Sequence, residues 1–470
     1  MQILKVRTKV EIVSAVVMIS LLVIASAAAI TRTITDSSDN SYTFIRNSKG
    51  NYWAATGANI QAAIDDLGYG GGTVWLPNGT LTITSSIYLN NNVALAGAGV
   101  GSTKIYSNTG GSFIPIRAVT KENITVRDMT IDMNNAGSNC IYITERSKNI
   151  RLQDLLLANS GFQSIYITAN CTNIFISGIK VERGVDDGSH GIAIGEAKNV
   201  VVDNCILYNA DYDVAELGMD IGYSENVTIN NIVIYGGGWH NGMKFPFTKN
   251  LMISNVVIHD AYDNGIRIYE SNQYVSISNF LVQNSGNSAI AIYAGASDIV
   301  LTNGFIRNTK APGKGLEIIA QNVSVSNVEI SDSEHIGLAI GDNSKNIQLS
   351  NIRLTGYTWN KINTGASNII ISDSIFSYGS SIGLSIDGTS NFKIVNCIFE
   401  RNTGDGIDTT NTACNNYTIT SCTFKYNARG IDCNANDDCN IITLNHFIGD
   451  TLYGHSKTKG YIQNNIGIDI

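Results

Sequence analysis

The sequence predicts an all-β protein: a single right-handed parallel β-helix, or solenoid, with a short capping helix at its N-terminal end. The first observation behind this is a repeat. Its opening position falls at Asn123, Asn149, Asn173, Asn199, Asn226, Asn250, Tyr274, Asp298, Asn322, Asn346, Asn368, Asn391, Asn416 and, with a one-residue slip, Ile441, in steps of 22 to 27 residues. The second is alternation at period two inside each unit. In residues 250–270, Leu251, Ile253, Val256 and Ile258 are followed by Gly265-Ile266-Arg267-Ile268, a strand signal reinforced by β-branched residues between Asn and Gly. The third is a second corner, five residues after the first, occupied by Asp128, Asp154, Asn204, Asn231, Asn255, Asn279, Asn303, Asn327, Asn351, Asp373 and Asn396. Asn and Asp tolerate left-handed backbone at a sharp bend, and their amides can bond along a stack. A leucine-rich repeat would need a leucine skeleton and a convex segment, and a propeller blade roughly 40 residues. Each unit is therefore one coil, stacked about 4.8 Å from the next.

Taken in order, the chain opens with Lys5, Arg7 and Lys9 before an uncharged apolar run, Ile12 to Ile30, with small residues at Ala25-Ser26-Ala27. Residues 1–30 therefore read as a signal peptide or membrane anchor. Either reading puts the remainder outside the cytoplasm, secreted or at the cell surface, with membrane contact only if the segment is retained. Residues 31–58 read as an irregular linker, and 59–470 as the β-helix domain with its cap. In the cap, Asn59 is the expected N-cap of a helix whose Ile60, Ala63, Ile64 and Leu67 form one apolar stripe. Such a helix would cover the open strand edge of the first coil.

A net charge of −8 gives no basic footprint, so nucleic acid is excluded as a partner class. Eight cysteines in an exported chain can oxidise. Cys414 and Cys439 share one phase of adjacent coils, which predicts a disulfide between them. Cys397 and Cys422 share an inward phase that Cys205 occupies earlier, and Cys205 reads as core packing. Six His and seven Met without clustering argue against metal delivery.

After the helix, "GGTVWLPNGTLTI" and then "NVALAGAG" resemble the opening of the pectate-lyase-like superfamily of exported, polysaccharide-active β-helices. The resemblance covers residues 57–470. It implies the right-handed fold and a glycan partner, and its members include lyases, glycoside hydrolases, epimerases and tailspikes.

Chemistry is expected on the last strand of each coil, where one outward residue stands between two inward ones. Up the rod this column reads Tyr142, Tyr166, Ala193, Asp220, Lys244, Arg267, Ala291, Glu317, Ala339, Ser385, Asp408 and Asp432. Asp220, Lys244 and Arg267 stand side by side, and the preceding loops supply Asp186, Asp187, His190, Asp213, Glu216, Trp239, His240 and Asp263. Asp187, His190, Asp213, Glu216, Asp220, His240, Lys244, Asp263 and Arg267 are the candidate catalytic residues. Tyr142, Tyr166, Trp239, Tyr269 and Glu270 are the candidate substrate-binding ones. A surface ion-pair ladder would explain Asp220 beside Lys244. It explains Lys244 beside Arg267 badly, because like charges opposite one another repel, and an anionic ligand such as a uronate would relieve them.

"HGIAIG" from His190 and "NGIRIY" from Asn264 resemble the histidine and arginine strands of polygalacturonase-type hydrolases. Tyr269 stands where that family has lysine, and the coil before His190 lacks its paired aspartates. With His240 as the histidine, acids do precede it, but "WHNGMKF" carries one extra residue. A hydrolase would use two carboxylates. A lyase would neutralise a uronate, with Ca2+ held by carboxylates as an optional cofactor, and remove its α-proton with Lys244 or Arg267. The rival from another class is a non-catalytic structural or adhesive rod of the cell envelope.

Overall fold

The corner residues set the coil. The computed structural model describes residues 44–107, 113–136, 138–184, 190–209, 216–434, 436–450, 452–454 and 459–466. In it Asn250 and Asn255 have φ of 53° and 54°, and the Asn and Asp residues at the same corners of other coils lie between 49° and 61°, while Ile441 does not adopt this conformation, for which Asn and Asp are enriched. The chain turns there, and the side-chain amides stack. Asn149 Nδ2 donates to Asn123 Oδ1 at 2.8 Å, Asn173 to Asn149 at 2.9 Å, Asn199 to Asn173 at 3.0 Å and Asn226 to Asn199 at 3.0 Å. Asn250 continues the ladder to Asn226, Tyr274 interrupts it, it resumes from Asn322 on Asp298 to Asn368 on Asn346, and Asn416 donates to Asn391 further on.

Between corners the alternating apolar residues point inward. A sixteen-stranded sheet runs in unbroken chain order from Ile87–Tyr88 to Leu452–Gly454. The other strands form a second, 25-stranded sheet, because single strands such as Lys198–Tyr208 pass through the second corner at Asn204, φ 52°. Coil-to-coil pairings among the described residues are parallel, with Ile229 on Ile253, Ile253 on Ile277 and Ile277 on Leu301. The inward residues join one continuous core. In the C-terminal coils it becomes a stack of Phe376, Phe399, Phe424 and Phe447, with centroids 4.8, 5.3 and 5.0 Å apart.

The N-terminal end departs from the expected linker. Phe44–Asn47 and Tyr52–Ala54 form an antiparallel hairpin that continues onto Gly72–Trp75. Ile45 is fully buried, and Arg46 lies over the Trp75 ring at 4.6 Å. Alternation over only four residues hid this strand in the sequence. The helix spans Gly57–Leu67 and buries Ile60, Ala63, Ile64 and Leu67 in the core. Its N-cap is Thr56, without a side-chain cap bond, while Asn59 donates to Ala54 O at 3.0 Å. The expected cap at Asn59 is thus displaced by three residues.

Cys205 is buried in the core as expected, and Cys397 and Cys422 are buried there too, with free thiols. Cys414 is buried with a free thiol. Its Sγ is 3.5 Å from Ile386 O, in the coil before its own, whereas the expected bridge needs it turned toward the coil after. The side chain of Cys439, on the strand Asp438–Thr443, lies outside the described residues.

Candidate active site

The outward column is in register along the whole sixteen-stranded sheet. Tyr142 pairs with Tyr166, Tyr166 with Ala193, Ala193 with Asp220, Asp220 with Lys244, Lys244 with Arg267 and Arg267 with Ala291. The flanking positions are core, for instance Ile266 and Ile268 beside Arg267, so alternation holds these side chains on the outer face.

Asp220 is the hub of the cluster. Its Oδ2 lies 3.9 Å from Lys244 Nζ and 3.9 Å from His190 Nε2. Burial pushes the Asp220 carboxyl above the ordinary aspartate range, against the opposing pull of Lys244 and His190. Lys244 and Arg267 share an aromatic wall: Tyr269 takes the ammonium at 5.5 Å and the guanidinium at 4.9 Å, and Tyr293 takes the guanidinium again at 5.3 Å. The ring faces offset part of the repulsion between the adjacent cations. Below them Tyr142 and Tyr166 stack at 5.4 Å, with Arg117 over Tyr142 at 5.7 Å.

The raised value at Asp220 has a consequence for stability. Folding favours its protonated form, so its contribution is present below the unfolded pKa and is lost as pH rises through the folded value. Asp220→Asn is therefore expected to melt higher than the parent at neutral pH, with the gap closing near pH 3. A melting-temperature series against pH checks it, and a variant that melts lower at pH 7 than the parent would contradict it.

A second group stands further along the loops. His240 Nδ1 is 3.7 Å from Asp263 Oδ2, and its ring lies 5.8 Å from Tyr262. Asp263 accepts from Asn264 Nδ2 at 2.7 Å and Asn287 Nδ2 at 2.8 Å, which leaves it fixed by amides. Glu270 is exposed in the turn after the arginine strand, with φ 55°.

Trp239 does not line the face. It is 1% exposed and belongs to the core. The cause is a register shift: Glu216 pairs with Trp239 but Leu217 with Asn241, so His240 is the extra residue of a bulge. The bulge turns the indole inward and re-aims the imidazole. Asp186, Asp187 and Asp213 lie outside the described residues, as does the side chain of Glu216.

The motif glycines have a packing explanation. A Cβ on Gly191 would sit 2.5 Å from Leu207 Cδ2 and 2.6 Å from Gly218 O, and one on Gly242 would sit 2.6 Å from Gly265 O. The small residue before each last strand follows from close coil-to-coil approach. The resemblance of "HGIAIG" and "NGIRIY" to hydrolase strands is therefore carried by His190 and Arg267 alone.

Three coils further on, the same face holds a groove of about 430 Å3 lined by Lys314, Glu317, Asp342, Trp359 and Lys361, among others. Glu317, 6% exposed, accepts from Ser288 Oγ at 3.0 Å and pairs with Lys314. Lys361 is 3.4 Å from Asp387. The expected column omits Lys361, because Asn360 replaces the usual glycine and the register shifts between Ile336 and Ala339. A larger depression, about 510 Å3, lies on another face against Asn149, Asn173, Arg151 and Phe175. Its amides are already bonded to one another in the ladder, so it lacks acid–base chemistry. Around Asp220 the described groups do not fit Ca2+: one carboxylate there faces a lysine and a histidine.

Residues 163–322 and 314–466 match the family described as "Right handed beta helix region". No curated protein sequence matches the chain. Among solved structures, the N-terminal fragment of gene product 12 of bacteriophage Phi29 superposes with a TM-score of 0.58 at 15% identity, covering 86% of this chain and 90% of that one. The tailspike of E. coli bacteriophage HK620, a mutant in complex with a hexasaccharide, gives 0.51 at 11% identity, covering 90% and 84%. At these identities the likeness is one of fold.

Proposed function

This chain belongs to the right-handed β-helix family, and from that premise we propose that its sixteen-stranded face binds and cleaves an acidic polysaccharide outside the cytoplasm. The observation that carries this is the in-register pair Lys244 and Arg267, two cations on neighbouring strands backed by Tyr269. Such a pair matches a uronate carboxylate, which a guanidinium can hold in two parallel hydrogen bonds. Asp220, kept toward its protonated form by burial, suits the donor that delivers a proton to the departing glycosidic oxygen. With the carboxylate neutralised, the sugar's α-proton becomes acidic. His190, beside Asp220 on the neighbouring strand, can accept that proton as a neutral imidazole while Lys244 and Arg267 hold the carboxylate, so elimination is the chemistry this set of groups supports best.

The stacked Tyr142 and Tyr166 extend the face and offer rings to sugars. The helix Gly57–Leu67, with its apolar stripe buried against the first strands, is assigned the role of covering the open end of the solenoid. The apolar run from Ile12 to Ile30 is assigned to export.

The deciding experiment incubates the purified chain with acidic and neutral polysaccharides. Elimination produces an unsaturated uronate absorbing in the ultraviolet. New reducing ends without that absorbance would replace elimination by hydrolysis. Neither signal on any acidic glycan would leave a non-catalytic rod.

A further inference from the structure

We propose that the C-terminal coils hold a structural Ca2+ ion, bound by the carboxylates of Asp405, Asp408 and Asp432 together with the hydroxyl of Ser385. The three aspartates come from two successive coils and are buried, at 4%, 7% and 5% exposure. One ligand oxygen from each lies within 4.8 Å of the others. Oxygens grouped this closely can meet on one calcium ion at about 2.3–2.6 Å each. The donors are all oxygen, with no thiolate or imidazole, which selects a hard cation.

An independent observation points to a ligand at this place. Ser385 is 1% exposed, and its Oγ has no hydrogen-bond partner. Ser385 pairs directly with Asp408, which pairs with Asp432, so the hydroxyl shares the side of the sheet that carries the carboxylates. A buried hydroxyl without a partner is costly, and coordination through its lone pair removes that cost.

Charge agrees. Arg429 reaches into the cluster, with Nε and Nη2 on Asp405 at 2.6 and 2.8 Å and Nη1 on Asp432 at 2.5 Å. One guanidinium among three carboxylates leaves a formal charge of −2. Lys361 does not cancel it, being engaged with Asp387 at 3.4 Å. The amide ladder of the first corner ends, among the described residues, at Asn416 on Asn391. An ion spanning Ser385, Asp408 and Asp432 would clamp three coils where that ladder gives out.

The test uses the full chain, stripped with a chelator and titrated with CaCl2 in a calorimeter, with melting followed in parallel. One Ca2+ per chain and a rise in melting temperature are expected. Asp408→Asn should weaken binding at least tenfold and abolish the calcium-dependent rise. Ser385→Ala, a milder change that keeps the proposal testable if the aspartate variant does not fold, should weaken binding several-fold. Arg429→Gln should tighten binding, because the guanidinium competes for the same oxygens; a plain ion-pair network would instead lose stability with no gain in calcium affinity. Absence of Ca2+ binding, or binding unchanged in Asp408→Asn and Ser385→Ala, overturns the proposal. So does binding lost in Asp220→Asn, which would move the ion to the glycan face.

Discussion

Arg267→Ala is expected to lower binding or turnover of an acidic glycan tenfold or more while the melting temperature stays within a degree or two of the parent. The guanidinium is half-buried, lies over Tyr269 at 4.9 Å and Tyr293 at 5.3 Å, and stands next to Lys244 in the sheet. Its loss removes one charge-assisted contact to the ligand, worth about 1.4 kcal/mol or more. It also removes repulsion with Lys244, which offsets the lost ring contacts of about 0.5–1 kcal/mol each. Function and stability thus separate. Arg267→Lys should recover only part of the affinity, because an ammonium cannot reproduce two parallel hydrogen bonds. Glycan affinity measured beside thermal melting decides the matter. Unchanged binding in the alanine variant would remove the site assignment and return the molecule to an inert rod.

Phe399→Ala is expected to show the opposite profile, with a large loss of stability and little direct effect at the glycan face. Phe399 is fully buried, stacked on Phe376 at 4.8 Å and on Phe424 at 5.3 Å, each within 9° of parallel. Truncating a buried phenylalanine costs about 3–5 kcal/mol, and each ring pair adds roughly 0.5–1.5 kcal/mol. Because each coil touches only its neighbours, the loss stays local and uncouples the last coils from the rest. The measurable result is a lower denaturant midpoint together with protease cleavage beginning in the C-terminal coils. Phe399→Leu should recover much of the loss by filling the space. A midpoint unchanged in Phe399→Ala would mean that the aromatic stack does not hold this end of the solenoid.

Much of this molecule was legible in the amino-acid sequence because its fold is built from short-range, periodic physics. Asn at a fixed phase implied left-handed corners, and the φ values of Asn250 and Asn255 agree. Alternation at period two implied which residue of each last strand faces out, and the shared phase of successive coils put Asp220, Lys244 and Arg267 on neighbouring strands, as their register bears out. What the sequence could not decide is whatever breaks the period. A single extra residue at His240 sends Trp239 into the core, since in a strand a one-residue slip exchanges inside for outside. Lys361 was concealed by Asn360 at a position where other coils carry glycine. The short strand at Ile45 gained its place only by pairing with Gly72–Trp75, far along the chain. Asp405 and Arg429 share one phase of successive coils, before Gly406 and Gly430, but the bridge that Arg429 makes between Asp405 and Asp432 forms only once those coils are stacked. Local backbone preference and alternation are written into neighbouring residues and repeat with them. Burial, charge pairing and the shift at Asp220 arise only when separate coils are stacked, so they belong to the tertiary structure.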